Sequence, residues 1–190
     1  SQRFRPATQV DPWPTTLDAT AFRNICPQHV QPNLPKKFQL PVGEDCLNLN
    51  IWKRAGVTDA SKLPIMFFIH GGGFTSGTGA LYNGTGIVAE AAQAGKDVVV
   101  VTINYRLGAL GLLASEAFAK EDSAWPSTGG VNFLNDQVVA LKFARAIVGS
   151  FGGDVDQVMV FGESAGALST CMLTLIPSAR CTPNSRPVLM

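Results

Sequence analysis

The tightest constraint on how this chain folds is a pentapeptide, Gly162-Glu163-Ser164-Ala165-Gly166, lying between two different periodicities. Before it, Gln157 to Phe161 is a continuous apolar run of strand type. After it, Ser164 to about Leu175 reads as a helix, stopped before Pro177. A G-x-S-x-G corner that turns a strand straight into a helix holds its serine in a strained backbone, and side chains at 162 or 166 would collide with neighbouring backbone. The corner predicts that the Ser164 hydroxyl stands above the carboxyl edge of a sheet, beside a helix N-terminus that favours developing negative charge. Ser164 is therefore the candidate nucleophile, with Gly162, Glu163 and Gly166 forming its turn. A Gly-Ser connector with no chemistry is the bland alternative, and the flanking strand and helix disfavour it.

A second segment fits the first. Pro64 to Ile69 is a short apolar run that ends in His70-Gly71-Gly72-Gly73-Phe74. Attack on a carbonyl builds an oxyanion, and each backbone N–H aimed at it is worth about 3 to 4 kcal/mol. Consecutive glycines let the main chain approach a substrate with its N–H groups turned inwards. Gly72 and Gly73 are the expected donors, with Ala165 N–H as the third. A triple glycine alone is often only a hinge; one strand ending in Gly-Gly-Gly and another ending in a serine turn is a far more specific pair. His70 suits a packing or hydrogen-bonding role that fixes the loop better than the role of a base. Phe74 and Tyr82 read either as pocket lining or as packing, and Glu163 either as an electrostatic neighbour of Ser164 or as a structural spacer.

Further strands are expected at Leu47–Trp52, which alternates apolar and polar residues, and at Asp97–Ile103, rich in β-branched residues. Helices are expected at Ile87–Ala94 and at Asn135–Val148, the latter capped by Asp136 and ended by Gly149. Strands alternating with helices, most of them apolar throughout, imply an α/β class chain with a mostly parallel sheet covered on both faces. Residues 1–43 hold seven of the twelve prolines and predict an extended segment wrapped over the rest. The composition is 46% hydrophobic and only 15% charged, with a net charge of +1 and no run of either sign. That excludes a disordered chain and argues against binding a phosphate backbone. No apolar stretch reaches the roughly 18 to 20 residues of a transmembrane helix. No Cys/His spacing suggests a metal. Cys26 and Cys46 flank a polar loop that a disulfide can close, and Asn83-Gly84-Thr85 is a glycosylation pattern; together they point to secretion. Cys171 is expected as a small buried thiol, with Cys181 left open.

Five ordered motifs carry a resemblance: Glu44-Asp45-Cys46-Leu47-Asn48-Leu49-Asn50, His70 to Phe74, Asn104-Tyr105-Arg106-Leu107-Gly108, Phe151-Gly152-Gly153-Asp154 and Phe161 to Gly166. Over residues 22 to 176 the chain resembles the type-B carboxylesterases, the family of carboxylesterases, cholinesterases and secreted fungal lipases. The resemblance implies an α/β-hydrolase fold, an ester substrate, a Ser-Glu-His or Ser-Asp-His triad with Ser164 as nucleophile, no cofactor, and a Cys26–Cys46 disulfide. Residues 130–137, Gly-Val-Asn-Phe-Leu-Asn-Asp-Gln, depart from the family's Gly-Asn-x-Gly-Leu-x-Asp-Gln, and only Asp136-Gln137 is kept cleanly. The Cys26–Cys46 loop contains no Trp, which argues against choline esters, since cation–π recognition needs such a ring.

In this fold the triad runs Ser, then Asp or Glu, then His. Ala165 to Met190 contains none of these acids or bases, and both histidines, His29 and His70, precede the serine. The expectation is that residues 1–190 are the N-terminal portion of a single α/β-hydrolase domain, whose remainder, in a second chain or a missing segment, carries the acid and the histidine. A non-catalytic binding or adhesion relative and an acyltransferase are the rival readings.

Overall fold

The computed structural model describes residues 3–29, 40–121 and 131–176. Within them the chain forms strands β1 (Leu49–Trp52), β2 (Leu63–Ile69), β3 (Val99–Ile103) and β4 (Gly153–Gly162). The helices are α1 (Thr85–Gln93), α2 (Gly108–Leu112), α3 (Glu116–Glu121), α4 (Asn132–Ile147) and α5 (Ala165–Leu175). The sheet order is β1-β3-β2-β4, with β1 antiparallel to β3 and the other pairs parallel.

Two of the three apolar runs become the inner strands β2 and β3, covered on both faces, whereas β4 lies at the edge of the described sheet and is largely half-buried. All five residues of β3 are buried, and β-branched side chains fit that pleated, enclosed surface. On one face Ile65, Phe67 and Ile69 of β2 join Val99, Val101 and Ile103 of β3 in a core closed by Phe133, Val138 and Leu141 of α4. Phe68 points the other way and packs on Tyr82 and Phe161, with ring centroids 4.6 and 5.1 Å apart. Burying a side chain such as Phe67 contributes about 2 to 3 kcal/mol. β1, which alternates in sequence, is half-buried throughout.

Most expected boundaries move by no more than two residues, α2 and α3 were not expected, and two boundaries move further. β4 begins at Gly153 rather than Gln157, because the chain leaves Gly152 with φ 89° and Gly153 lies where a Cβ would press on Val148 and Ile65. α4 starts at Asn132, three residues early, and Asp136 is not its cap. Instead the Asp136 carboxylate is buried and accepts from Arg106: Nη2 at 2.6 Å, Nε at 2.8 Å and the backbone N–H at 3.0 Å. Burial pushes this carboxyl upward and the Arg106 donors act against it. Arg106 also donates through Nη1 to the Arg5 carbonyl (2.8 Å), while Asn132 and Asn135 donate to the Phe4 and Ala7 carbonyls (3.1 and 3.0 Å). Residues 3–29 contain no helix or strand, and these side chains fasten their start to α4 and to the turn after β3.

Cys26 and Cys46 are joined in a disulfide. Beside it, Asn104 is a buried hub: its amide donates to the Asn24 and Cys46 carbonyls and its oxygen accepts from Thr78 Oγ1 and Gly79 N–H. Cys171, expected inside, is exposed. It lies on the side of α5 that carries Leu168 and Leu175, both well exposed, and α5 turns Ser169, Thr170 and Leu173 inwards instead. Cys181 lies outside the described residues. No helix among the described residues is long and apolar enough to cross a membrane.

Candidate active site

The two glycine-bearing segments meet. β2 and β4 pair in register, Ile69 beside Gly162, so both strands deliver their C-terminal turns to one edge of the sheet. Glu163 N–H reaches the Ile69 carbonyl at 3.4 Å. A Cβ on Gly71 would overlap the Glu163 carboxylate and lie 2.8 Å from its carbonyl oxygen. A Cβ on Gly166 would run into the Ile69 carbonyl and sit 2.9 Å from that of His70, and one on Gly162 would strike the Gly166 backbone. These glycines are the condition for packing the turn after β4 onto the turn after β2.

Ser164 has φ 53° and ψ −117°, a backbone conformation L-residues rarely adopt. Such a residue costs on the order of 1 to 3 kcal/mol and persists only where its surroundings dictate it. Here Gly166 N–H closes the corner onto the Glu163 carbonyl at 2.8 Å, and the Ser164 carbonyl accepts the α5 bond from Leu168 at 3.1 Å. The serine is exposed while Ala165 and Gly166 are buried. Its side chain therefore stands at the surface with the first amides of an eleven-residue helix next to it, groups with no partner inside the helix.

The glycine loop is bent as sharply. Gly72, Gly73 and Phe74 all have positive φ, 109°, 60° and 60°. The Gly72 carbonyl accepts from the Thr75 and Ser76 amides at 3.1 and 3.0 Å and from their hydroxyls at 3.3 and 3.2 Å. The Phe74 carbonyl accepts Gly108 N–H at 2.7 Å, and its ring packs on Phe133 at 4.9 Å. Phe74 and Tyr82 thus both serve packing. Thr75 and Ser76 were not singled out from sequence; the signal was two hydroxyl residues placed to close a turn back onto Gly72.

His70 is buried under the loop. Its Nδ1 lies 2.7 Å from the Gly71 carbonyl, and the ring stacks on Tyr105 at 4.3 Å. Tyr105 donates its hydroxyl to the His70 carbonyl at 2.8 Å. Neither histidine hydrogen-bonds Ser164, and His29 is exposed in the N-terminal segment. The expected loop-fixing role of His70 is the one the geometry shows. Burial drives its pKa down to about 4, with the Gly71 carbonyl opposing. Burial and the Glu163 charge hold both Tyr82 and Tyr105 above the ordinary tyrosine value.

The histidine shift carries a stability prediction. Above pH about 6.5 the imidazole is neutral whether the chain is folded or not, so His70 adds no pH dependence. As pH falls from 6.5 towards 4, the unfolded chain takes up a proton that the buried ring refuses, and stability is lost, by about 3 kcal/mol at the lower end. Urea midpoints at pH 7 and pH 4.5 measure this, and the part due to His70 disappears in His70→Asn.

Comparison with known proteins agrees with this geometry. A family model described as the carboxylesterase family matches residues 1–190. The chain is 40% identical over 181 residues to para-nitrobenzyl esterase of Bacillus subtilis, covering 94% of this chain and 34% of that protein. It is 40% identical over 173 residues to lipase 2 of Geotrichum candidum, covering 87% and 30%. Among solved structures, the Geobacillus stearothermophilus carboxylesterase EST55 superposes with a TM-score of 0.77 at 36% identity, over 95% of this chain and 34% of its own. The chain thus spans about a third of the length of the relatives it matches, and its sheet and helices are those of the α/β-hydrolase fold. With Ser164 in its strained corner, the glycine loop packed against it, and a match over residues 1–190, the chain belongs to the carboxylesterase family.

Proposed function

We propose that the protein is a serine carboxylic-ester hydrolase and that Ser164 is its nucleophile. Ser164 Oγ attacks the ester carbonyl carbon, its proton passes to a histidine, and the tetrahedral oxyanion is held by the N–H groups of Gly72, Gly73 and Ala165. Collapse expels the alcohol, which takes the proton, and water then releases the acyl group by the same steps. This chemistry needs neither metal nor organic cofactor. The histidine and its acidic partner come from a further part of the enzyme, later in a longer chain or on a second one, because both histidines of this sequence are placed elsewhere. On this reading residues 1–190 are the N-terminal portion of one hydrolase domain.

One observation carries the proposal: a non-glycine residue at φ 53° on the strand–helix corner, whose neighbour Glu163 packs against Gly71 of the glycine loop. The test is reaction of the enzyme with a fluorophosphonate probe. The expected result is one adduct, on the peptide containing Ser164. An unlabelled protein, or label on another residue, overturns the assignment. The relatives are named for para-nitrobenzyl esters and lipids, so a carboxylic ester is the class proposed. The Cys26–Cys46 disulfide and an exposed Asn83, whose Oδ1 accepts Thr85 N–H at 2.8 Å, support secretion with a glycan on Asn83. A gel shift on deglycosylation that vanishes in Asn83→Gln is the expected outcome.

A further inference from the structure

We propose that the oxyanion donors are aimed from behind, through their own peptide planes: His70 sets the direction of the Gly72 N–H, and the Thr75–Ser76 turn sets that of the Gly73 N–H. A trans peptide is rigid, and the carbonyl of one residue and the N–H of the next point in opposite directions across the same plane. Whatever holds a carbonyl on one side of the loop therefore fixes an N–H on the other. Three successive planes are held in this way. The His70 carbonyl accepts Tyr105 Oη at 2.8 Å, which orients Gly71 N–H. The Gly71 carbonyl accepts from His70 Nδ1 at 2.7 Å, which orients Gly72 N–H. The Gly72 carbonyl accepts from both the amides and the hydroxyls of Thr75 and Ser76, which orients Gly73 N–H.

The tautomer follows from the partner. A carbonyl only accepts, so Nδ1 carries the proton and the buried Nε2 is the unprotonated nitrogen, with no hydrogen-bond partner among the described residues. The ring is also hemmed in: it stacks on Tyr105, and a Cβ on Gly77 would lie 2.5 Å from its Nδ1 and 2.9 Å from its Cε1. With positive φ at both Gly72 and Gly73, the loop has no regular ladder of its own to fix its planes. His70 is accordingly a positioning residue, acting on the substrate only through Gly71–Gly72.

This inference rests on the reading of Gly72 and Gly73 as oxyanion donors, and the experiment separates the two. In the active enzyme, kcat and KM for an ester are measured together with the inhibition constant of a trifluoromethyl ketone, which forms a hemiketal oxyanion on the nucleophile. If the native enzyme does not bind the ketone, the hydrolase reading itself fails. If it does, His70→Leu lowers kcat about 10²-fold with KM within about two-fold, and the ketone constant rises in parallel, as loss of one aimed donor requires. His70→Asn, whose amide nitrogen takes the place of Nδ1, recovers at least ten-fold of that loss. His70→Gln, whose amide reaches the Nε2 side, does not recover it. The Asn/Gln pair decides the matter where His70→Leu fails to fold, and Ser76→Ala, which removes one of four donors to the Gly72 carbonyl, is expected to cost about three-fold in kcat alone. A His70 series that leaves kcat and the ketone constant unchanged, or an Asn variant no better than Gln, overturns the inference.

Discussion

If the proposed nucleophile is right, Ser164→Ala is expected to lower kcat of the complete enzyme by about 10⁶-fold, the scale seen when a serine nucleophile is removed from a triad whose members act as a unit. Probe labelling is lost with it. Stability does not change by more than about 0.5 kcal/mol, because alanine keeps the Cβ at φ 53° and the corner is packed through Gly162 and Gly166, not through the hydroxyl. Ser164→Gly is equally inactive but gains about 1 to 2 kcal/mol, since glycine adopts that backbone without strain. That pair of results would mean that the corner is held under tension for the sake of its hydroxyl. Turnover within ten-fold of native in either one, measured on an ester at saturating substrate, would remove Ser164 from the mechanism.

Asp136→Ala has the largest expected effect on folding, a loss of about 3 to 5 kcal/mol in denaturant or thermal unfolding. The carboxylate is fully buried and is the partner of three Arg106 donors, so its removal leaves Arg106 Nε, Nη2 and backbone N–H without their acceptor. Against a total stability of about 5 to 15 kcal/mol that is a large fraction. Replacing both members by apolar residues is expected to cost less than the single change, since no charge is then stranded. A loss below about 1 kcal/mol for Asp136→Ala would show that water reaches Arg106 in solution.

Asp136 also marks where sequence reading stops. β3 was legible because its run is continuous and β-branched, β1 because it alternates, and the Ser164 corner because its pattern is local, although the steric demand on its glycines comes from the Gly166 backbone and the Ile69 and His70 carbonyls. The meeting of the two turns was legible only as an expectation, since it depends on β2 and β4 becoming neighbours across about ninety residues. Asp136 stood near the start of an apolar helix pattern, the position of a cap, and nothing local marks a carboxylate whose partner lies thirty residues earlier. Cys171 failed for a related reason. Its neighbours Leu168 and Leu175 are apolar, and the packing of α5 on the sheet, not their hydropathy, decides that Ser169 and Thr170 go inside. The hydroxyls of Thr75 and Ser76 acquire meaning only once the Gly72 carbonyl is seen to point at them.

The fastening of residues 4–7 has a consequence for biosynthesis. Their carbonyls are claimed by Arg106, Asn132 and Asn135, between 101 and 128 positions later. At translation rates of about 5 to 20 residues per second, this opening stretch waits on the order of ten seconds before its partners leave the ribosome. A nascent segment with apolar strand character would be exposed to wrong pairing for that interval. Pro6, Pro12, Pro14 and Pro27 interrupt its backbone donors and make it a poor template for another chain while it waits.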